Sequence, residues 1–359
     1  MKNGQTVAAF EREFAAYVGA KYAIALCNGT ATLHTALVAL GVKPGDRVAV
    51  PPLTMSATTI AALHAGAVPE FVDVADDTWL MRHHGRGAAI HVSLYGLSSP
   101  LNRNDRFLID DAAQTLRKHS GCAFTSYSFQ ASKILSTGEG GMLVTDDEGL
   151  ATAAREFSSL GYRMRADQPR IDPAALKSPT FDRHYALGWN YRMNDATAAV
   201  GLHRLKVADT LKANRLVAAN LYENAVEHCE WLTPQHVPDG WQHDYWTFAV
   251  TCDTAERARM LADAVVKHGG ERPYPAWRLT YHEPAFQQFG VDQALMSKPT
   301  TTDIRIDTDG PLGNGRRFVS GICPVAESLQ PRLLQFQTND LATAERNAVA
   351  LRRAIEDLS

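Results

Sequence analysis

Over its first 160 residues the chain alternates short apolar runs with stretches of helical periodicity, and this alternation constrains its fold more than any other feature. Residues 22–27 (YAIALC) read as a buried strand and residues 30–40 (TATLHTALVAL) as a helix. A second strand begins at 47–50, a helix follows at 56–65, and a third strand at 69–74. Further strands fall at 89–93, 107–110, 123–129 and 141–145, and a helix starts at Glu148. Strands separated by helical crossovers pair in parallel, and the helices then cover both faces of the sheet. The expectation is an α/β protein with a mainly parallel sheet.

Beyond residue 160 the pattern changes. Residues 161–188 are rich in Arg, Pro and Asp and read as an extended loop. A long helical stretch runs from about Asn194 to His228, with Val200, Leu205, Leu211 and Leu216 among its apolar positions. A strand at 245–251, a helix at 254–268, an irregular Gly/Pro/Asp-rich region at 269–324 and a C-terminal helix from Ala342 complete the chain. The change of pattern predicts a large domain, residues 1–220, and a smaller one, 221–359, divided inside the long helix.

Charge and cysteine usage narrow the function classes. A net charge of −3 without a Lys/Arg block carries no nucleic-acid footprint. The local clusters Arg163–Arg165 and Arg316–Arg317 read as solvated loops or anion contacts. The five cysteines are scattered and form no CxxC, which argues against a disulfide framework or a zinc cluster and suits a reducing cytoplasm. Isolated histidines such as His91 and His282 lack metal-site spacing, so no metal is expected. The opening MKNGQTVAAFEREF lacks the apolar run of a signal peptide, and no apolar stretch reaches the roughly 18 residues of a membrane span. The expectation is a soluble cytoplasmic protein.

Three separated segments carry chemistry. Asn28, Gly29, Thr30 and Ala31 lie where a strand turns into a helix. Backbone N–H groups and the positive end of a helix suit a phosphate there, and a plain turn with Thr30 as N-cap is the competing role. Asp110 and Asp111 end the strand FLID, at the sheet edge where ligands of parallel sheets collect. A carboxylate there can pair with a protonated ring nitrogen, although helix capping remains open for Asp110. Lys133 leaves a buried strand beside Tyr127 and Ser128 and precedes the turn Gly138-Glu139-Gly140-Gly141. An amine becomes a Schiff-base nucleophile when burial or a cationic neighbour lowers its pKa, and this setting suits that task, with a plain surface charge as the competing role.

In this order the segments resemble the DegT/DnrJ/EryC1/StrS family of pyridoxal 5'-phosphate (PLP)-dependent sugar aminotransferases. The matching stretches are FEREFAAYVGAKYAIALCNGTATLHTAL, VKPGDRVAVPPLTMSATTIAALHAGAVPEFVDV, HVSLYG, LIDDAAQTL, SFQASKILSTGEGGMLVTDDEGLA and GWNYRMNDATAAVGLHRL, covering most of residues 10–205. Residues 220–359 resemble the family more loosely. The resemblance implies a type I aspartate-aminotransferase-like fold with a smaller C-terminal α/β domain. It implies that Lys133 bonds the cofactor, that Asp111 pairs with the pyridine nitrogen and that Gln114 contacts the ring hydroxyl. Gly29, Thr30, Ala31 and Ser128 would hold the phosphate, and Asn190 would complete that cup in the neighbouring subunit of a homodimer. Arg192 would meet the carboxylate of the amino donor, and a structural ion pair is the equal alternative.

Two positions depart from the family pattern. Met55 stands where an aromatic residue usually stacks on the cofactor ring, and a thioether can still cover a ring face. Gln130 stands where His is usual and cannot act as an acid or base. The implied activity is transfer of an amino group, from glutamate, to a keto group of a nucleotide-linked deoxysugar. The same chemistry on a keto-cyclitol and a non-catalytic regulator or binding module are the alternatives. Arg272, Pro273, Tyr274 and Pro275 fall where the family lines its substrate pocket, or form a surface loop.

Overall fold

The structure, a computed structural model, describes residues 5–82, 87–100, 108–118, 121–167, 174–288 and 320–359. Strands β1 (Tyr22–Leu26), β2 (Arg47–Val50), β3 (Val68–Phe71) and β4 (Ala88–Val92) enter one sheet, while β5 (Leu97–Ser98) leaves it. Strands β6 (Leu108–Asp111), β7 (Phe124–Ser128) and β8 (Gly141–Thr145) complete a seven-stranded sheet of order β1-β8-β7-β6-β4-β2-β3. All its pairings are parallel except those of β8, which runs antiparallel to β1 and β7. The reversal follows from the connection. Residues 129–140 hold no helix between β7 and β8, and so short a link returns a chain antiparallel.

Helices α1 (Gln5–Val18), α2 (Gly29–Ala39), α3 (Ala57–His64), α4 (Glu148–Ser158) and α5 (Asp195–Leu205) pack on the two faces of this sheet. Alternation along β1 separates the cores. Ile24 and Leu26 join Leu33, Leu37, Ala61 and Ala151 on one face, and Ala23 and Ala25 join Phe10, Phe14, Met142 and Leu205 on the other. The α1–α5 crossing depends on Gly201, where a Cβ would stand 2.4 Å from the Phe10 ring.

Helix α6 (Ala208–Val226) carries the chain to a second, antiparallel sheet. Its strands are β9 (Leu232–Pro234), β11 (Thr247–Cys252), β12 (Tyr274–Pro275) and β13 (Leu333–Gln337), in the order β12-β13-β11-β9. The short β10 (Gln242–His243) pairs instead with β5. Phe248, Val250, Leu334 and Phe336 face α6, α7 (Ala255–Lys267) and a C-terminal helix Leu341–Leu358 in one apolar core. The connecting segments α8 (Pro284–Gln288) and α9 (Pro324–Leu329) precede that last helix, α10.

The mainly parallel α/β sheet matches the sequence expectation; several details differ. The expected long helix is two, because Val207 takes a non-helical φ/ψ of −113° and 10° between α5 and α6. Its buried positions are mostly small, Ala198, Gly201, Ala208, Ala218 and Ala219, whereas Val200 and Leu216 are about half exposed at 46% and 48%. Of the second sheet only β11 was expected. Phe107, Arg316, Arg317 and residues 289–319 lie outside the described residues.

One buried ion pair ties α1 to α4. Both Arg155 and Glu11 are buried, and Nη1 and Nη2 of Arg155 donate to the two Glu11 oxygens at 3.0 and 2.9 Å. The carboxylate also accepts from the β1 backbone at Ala25 (2.8 Å), and Arg155 donates to the carbonyls of Ala23 and Ala166. Removing one member strands the other charge away from water. Glu11→Leu should therefore cost about 3–5 kcal/mol in denaturant unfolding. The double variant with Arg155→Met should cost much less than Glu11→Leu alone, and a double variant as unstable as the single would contradict this account.

Candidate active site

The carboxyl ends of β1, β6 and β7 meet at one cavity of about 460 Å³, a size that suits a small organic ligand. Neighbouring strand residues point to opposite faces, and this sorts the two aspartates. Asp110 faces away from the cavity, where its carboxylate accepts from Ser93 Oγ (3.0 Å) and lies 3.8 Å from His91 Nδ1. Asp111 faces the cavity and accepts from Thr58 Oγ1 (2.8 Å) and the Ala113 N–H (3.2 Å). Burial raises the Asp111 carboxyl above the usual carboxylate range, against the lowering effects of Thr58 and Lys133.

Gln114 follows on the same wall. Its Oε1 accepts from the N–H of Tyr95, a buried residue held at φ 62°. That leaves the NH2 end of the amide as the group available to a ligand. The next residue, Gly96, could carry no side chain, since a Cβ would lie 2.9 Å from the backbone nitrogens of Tyr245 and Trp246.

Helix α2 starts at the cavity. Asn28 caps it by accepting from the Ala31 N–H at 2.8 Å, so the cap is Asn28 and not Thr30. Gly29 lies against Ser128, where a Cβ would come within 2.8 Å of the Ser128 Cβ. The first turn of an 11-residue helix, a glycine and a serine hydroxyl thus face one cavity, an arrangement chemically suited to an anion.

Lys133 enters from the β7–β8 connection. Its N–H bonds to the Gln130 carbonyl (2.9 Å), and Gln130 Oε1 accepts from both Ser132 N (2.8 Å) and Ser132 Oγ (2.7 Å). Lys133 Nζ lies 4.6 Å from the centroid of Trp246, whose indole N–H donates to the Ser132 carbonyl at 2.9 Å. Burial lowers the Lys133 amine from 10.5 to about 8; Asp111 opposes that shift, and Arg215 adds to it. A lysine with this pKa is neutral in roughly one molecule in ten at pH 7, against fewer than about one in a thousand at its ordinary value.

Of the residues the sequence singles out, the fold brings Gly29, Thr30, Met55, Asp111, Gln114, Ser128 and Lys133 to this cavity. Ala31 is buried with its N–H committed to Asn28. Asn190 and Arg192 are exposed and do not line the cavity of their own chain. Tyr274 lines a neighbouring cavity, and Arg272 pairs with Asp263. Sequence reasoning missed Thr58, Trp246, Trp277 and Arg215. Thr58 is 53 residues from its partner Asp111, and the others follow the change of domain pattern, so no local spacing marked them.

Comparison with known proteins shows the family. The model of the DegT/DnrJ/EryC1/StrS aminotransferase family matches residues 1–304. The chain is 34% identical over 280 residues to the spore coat polysaccharide biosynthesis protein SpsC of Bacillus subtilis, covering 70% of each. It is 34% identical over 292 residues to GDP-perosamine synthase of Caulobacter vibrioides, covering 74% of this chain and 73% of that one. The solved structure of NtdA from Bacillus subtilis, with its bound cofactor PMP, superposes with a TM-score of 0.75 at 20% identity, covering 98% of this chain and 78% of NtdA.

The Lys133 environment sets a pH dependence. Below its pKa a lysine loses about a factor of ten in neutral amine per pH unit. In protein cleared of bound carbonyl compounds, reductive trapping of salicylaldehyde at Lys133 should therefore climb to about pH 8 and then level off. Asp111→Asn removes the carboxylate that holds this pKa up, so the plateau should begin at lower pH. Peptide mapping after borohydride reads both, and a rise continuing towards 10.5 would refute the burial effect.

Proposed function

We propose, from the premise that this chain belongs to the DegT/DnrJ/EryC1/StrS aminotransferase family and is a PLP-dependent aminotransferase, that it moves an amino group from glutamate to a keto group of a nucleotide-linked deoxysugar. The observation that carries the assignment of residues is one cavity holding the Lys133 amine, the Asp111 carboxylate and the Gly29–Ser128 cradle. The sugar substrate follows the names of the relatives, GDP-perosamine synthase above all.

The chemistry PLP supplies when bound is an electron-poor ring that accepts the electron pair released at the donor's Cα. The chain's residues divide the remaining work. The N–H groups of Gly29 and Thr30 and the Ser128 hydroxyl bind the phosphate, and Ala31 supports them through the capped first turn. Asp111, Gln114 and Met55 line the cavity; Asp111 would keep the ring nitrogen protonated, the Gln114 NH2 would meet the ring hydroxyl, and Met55 would cover a ring face. Lys133 Nζ would anchor the cofactor, and its amine would be the base that takes the proton from the donor's Cα.

Asn190 acts across a homodimer in this proposal, on the partner's phosphate cup, and Arg192 meets the donor carboxylate. In support, Tyr185, Leu187 and Trp189, beside Asn190, are exposed at 49%, 94% and 55%, an apolar surface suited to a second copy. The domain division near residue 220 belongs to the same proposal. Helix α6 buries Ala208 with the first sheet's core and Ala218, Ala219 and Tyr222 with the second's. Among the described residues no helix is long and apolar enough to cross a membrane, and the five cysteines are free, which suits a cytoplasmic enzyme.

The test is direct. Purified protein should change its absorption spectrum with glutamate, yield 2-oxoglutarate and aminate at least one of a panel of nucleotide-linked keto-sugars. Lys133→Ala should abolish this without unfolding the protein, and borohydride should label Lys133 in the unmutated chain. Asp111→Asn should slow the glutamate half-reaction far more than Asp110→Asn; the opposite ranking would exchange their roles.

Mixed dimers test the shared site. Each subunit should be impaired alone, Lys133→Ala by loss of the amine and Asn190→Ala by loss of a hydrogen bond to a charged group worth roughly 1.5–3 kcal/mol. A hybrid places both lesions in one site and neither in the other, so activity should return on mixing. Hybrids that form without regaining activity would disprove sharing.

A further inference from the structure

A second cavity, of about 550 Å³, adjoins the first and shares Ser132, Trp246 and Trp277 with it. Trp246 and Trp277 stack at 5.9 Å between ring centroids and form the common wall. The far side is the face of the second sheet turned away from α6, α7 and α10. Leu334 and Phe336 of β13 turn into the apolar core, while Gln335 and Gln337 turn to the cavity with Thr247 of β11. Tyr274 and Asn339 close its rim.

Arg215 of α6 also lines this cavity, although only 5% of its surface is accessible. Its Nη1 donates to the Trp246 carbonyl (2.7 Å) and to Thr338 Oγ1 (3.0 Å). Among the described residues, Nε and Nη2 have no hydrogen-bond partner, and no carboxylate forms an ion pair with the guanidinium. The nearby Asp244 is committed to Arg117, Thr115 and the Leu116 N–H. A buried guanidinium without a counter-ion is costly, and burial lowers its pKa to about 10. Planar N–H donors beside side-chain amides match the oxygens of a carboxylate or phosphate.

We infer that this second cavity is an anion subsite, in which Arg215 receives a carboxylate or phosphate group of a substrate whose reacting end lies at Lys133. The inference deepens the proposed function and rests on it only for the identity of the substrate. Two sources share this chemistry: the carboxylates of a dicarboxylic amino donor and the diphosphate of a nucleotide-linked acceptor. The two cavities share Ser132, Trp246 and Trp277, and Arg215 lies near enough to Lys133 to act on its charge, so the subsite stands beside the reacting end.

Calorimetric titration of the purified holoenzyme with glutarate and with pyrophosphate reads this subsite without turnover, since neither ion can be transaminated. At least one should bind in the millimolar range or tighter: glutarate identifies the donor as the source, pyrophosphate the acceptor. Arg215→Met should weaken that binding about tenfold or more, the loss expected for a charge-assisted bidentate contact. Because Arg215 also clamps the Trp246 backbone, the second variant is Asn339→Asp, at an exposed position that leaves the clamp intact. It adds a negative charge at the rim and should weaken the same ion severalfold, more at low salt than at high. A purely structural Arg215 predicts unchanged binding in Asn339→Asp. That result, or no binding of either ion to the unmutated protein, overturns the inference. Failure to transaminate while Arg215-dependent binding persists would count against the proposed function alone.

Discussion

The active site depends on how closely three pieces of backbone approach one another at the ends of β1, β7 and β8. Gly29 lies on Ser128, and Gly141 lies on the Asn28 carbonyl, where a Cβ would come within 2.6 Å. Gly140 is equally confined, with Thr137 Oγ1 2.6 Å from its would-be Cβ. Because no side chain intervenes, the start of α2, the Ser128 hydroxyl and the Lys133 loop converge on one cavity. The reversed β8 contributes to the same end. An antiparallel return after β7 lets a helix-free segment carry Lys133 across the strand ends, where a crossover helix would have carried it away.

Burial then gives these groups their chemistry. It pushes the Asp111 carboxyl up and the Lys133 amine down, so both are driven toward neutrality. Hydrogen bonds from Thr58 and the Ala113 backbone, and the mutual attraction of the two groups, oppose that drift. The second sheet completes the enclosure by supplying Trp246 and Trp277. Its position is fixed by Asp244, which is buried at the entrance to β11 and bonded to Thr115, Leu116 and Arg117, just beyond Asp111 and Gln114. Enclosure and anchoring thus share one segment of chain.

How much of this was legible in sequence depended on range. Strands of the first sheet stood out because each is a short apolar run between turn residues, and Lys133, Asp111 and Gly29 stood out because each follows such a run. The two aspartates could be separated only by the facing of β6, a one-residue matter that the strand boundary decides. The second sheet was largely invisible. β9, β10 and β12 span two or three residues, too few to show a period, and β13 alternates Leu334 and Phe336 with two glutamines that face a cavity. The break at Val207 was hidden because the sequence on either side remains helical, and burial by alanine and glycine gives no apolar stripe. Partnerships such as Thr58 with Asp111, or Arg215 with Trp246, join distant segments and have no local signature.

The two departures from the family pattern acquire a physical meaning from their contacts. Gln130 cannot shuttle a proton, but its amide oxygen has two lone pairs and uses both on Ser132, through the N–H and the hydroxyl. A neutral imidazole offers one acceptor nitrogen and could take only one of these bonds. Gln130 therefore fixes the turn from which Lys133 projects. Met55 is half exposed at the cavity mouth, with its sulfur accepting from the Ala57 N–H at 3.0 Å. That contact ties a flexible side chain to the start of α3, the helix that also presents Thr58 to Asp111. A thioether held in place can cover a ring face without the rigid plane of an aromatic residue. The site thus trades a stacking ring and a titratable imidazole for two backbone-anchored side chains. In the proposed reaction the acid–base work then falls to Lys133 and the charge pairing to Asp111, the two groups whose pKa values burial shifts toward the neutral forms.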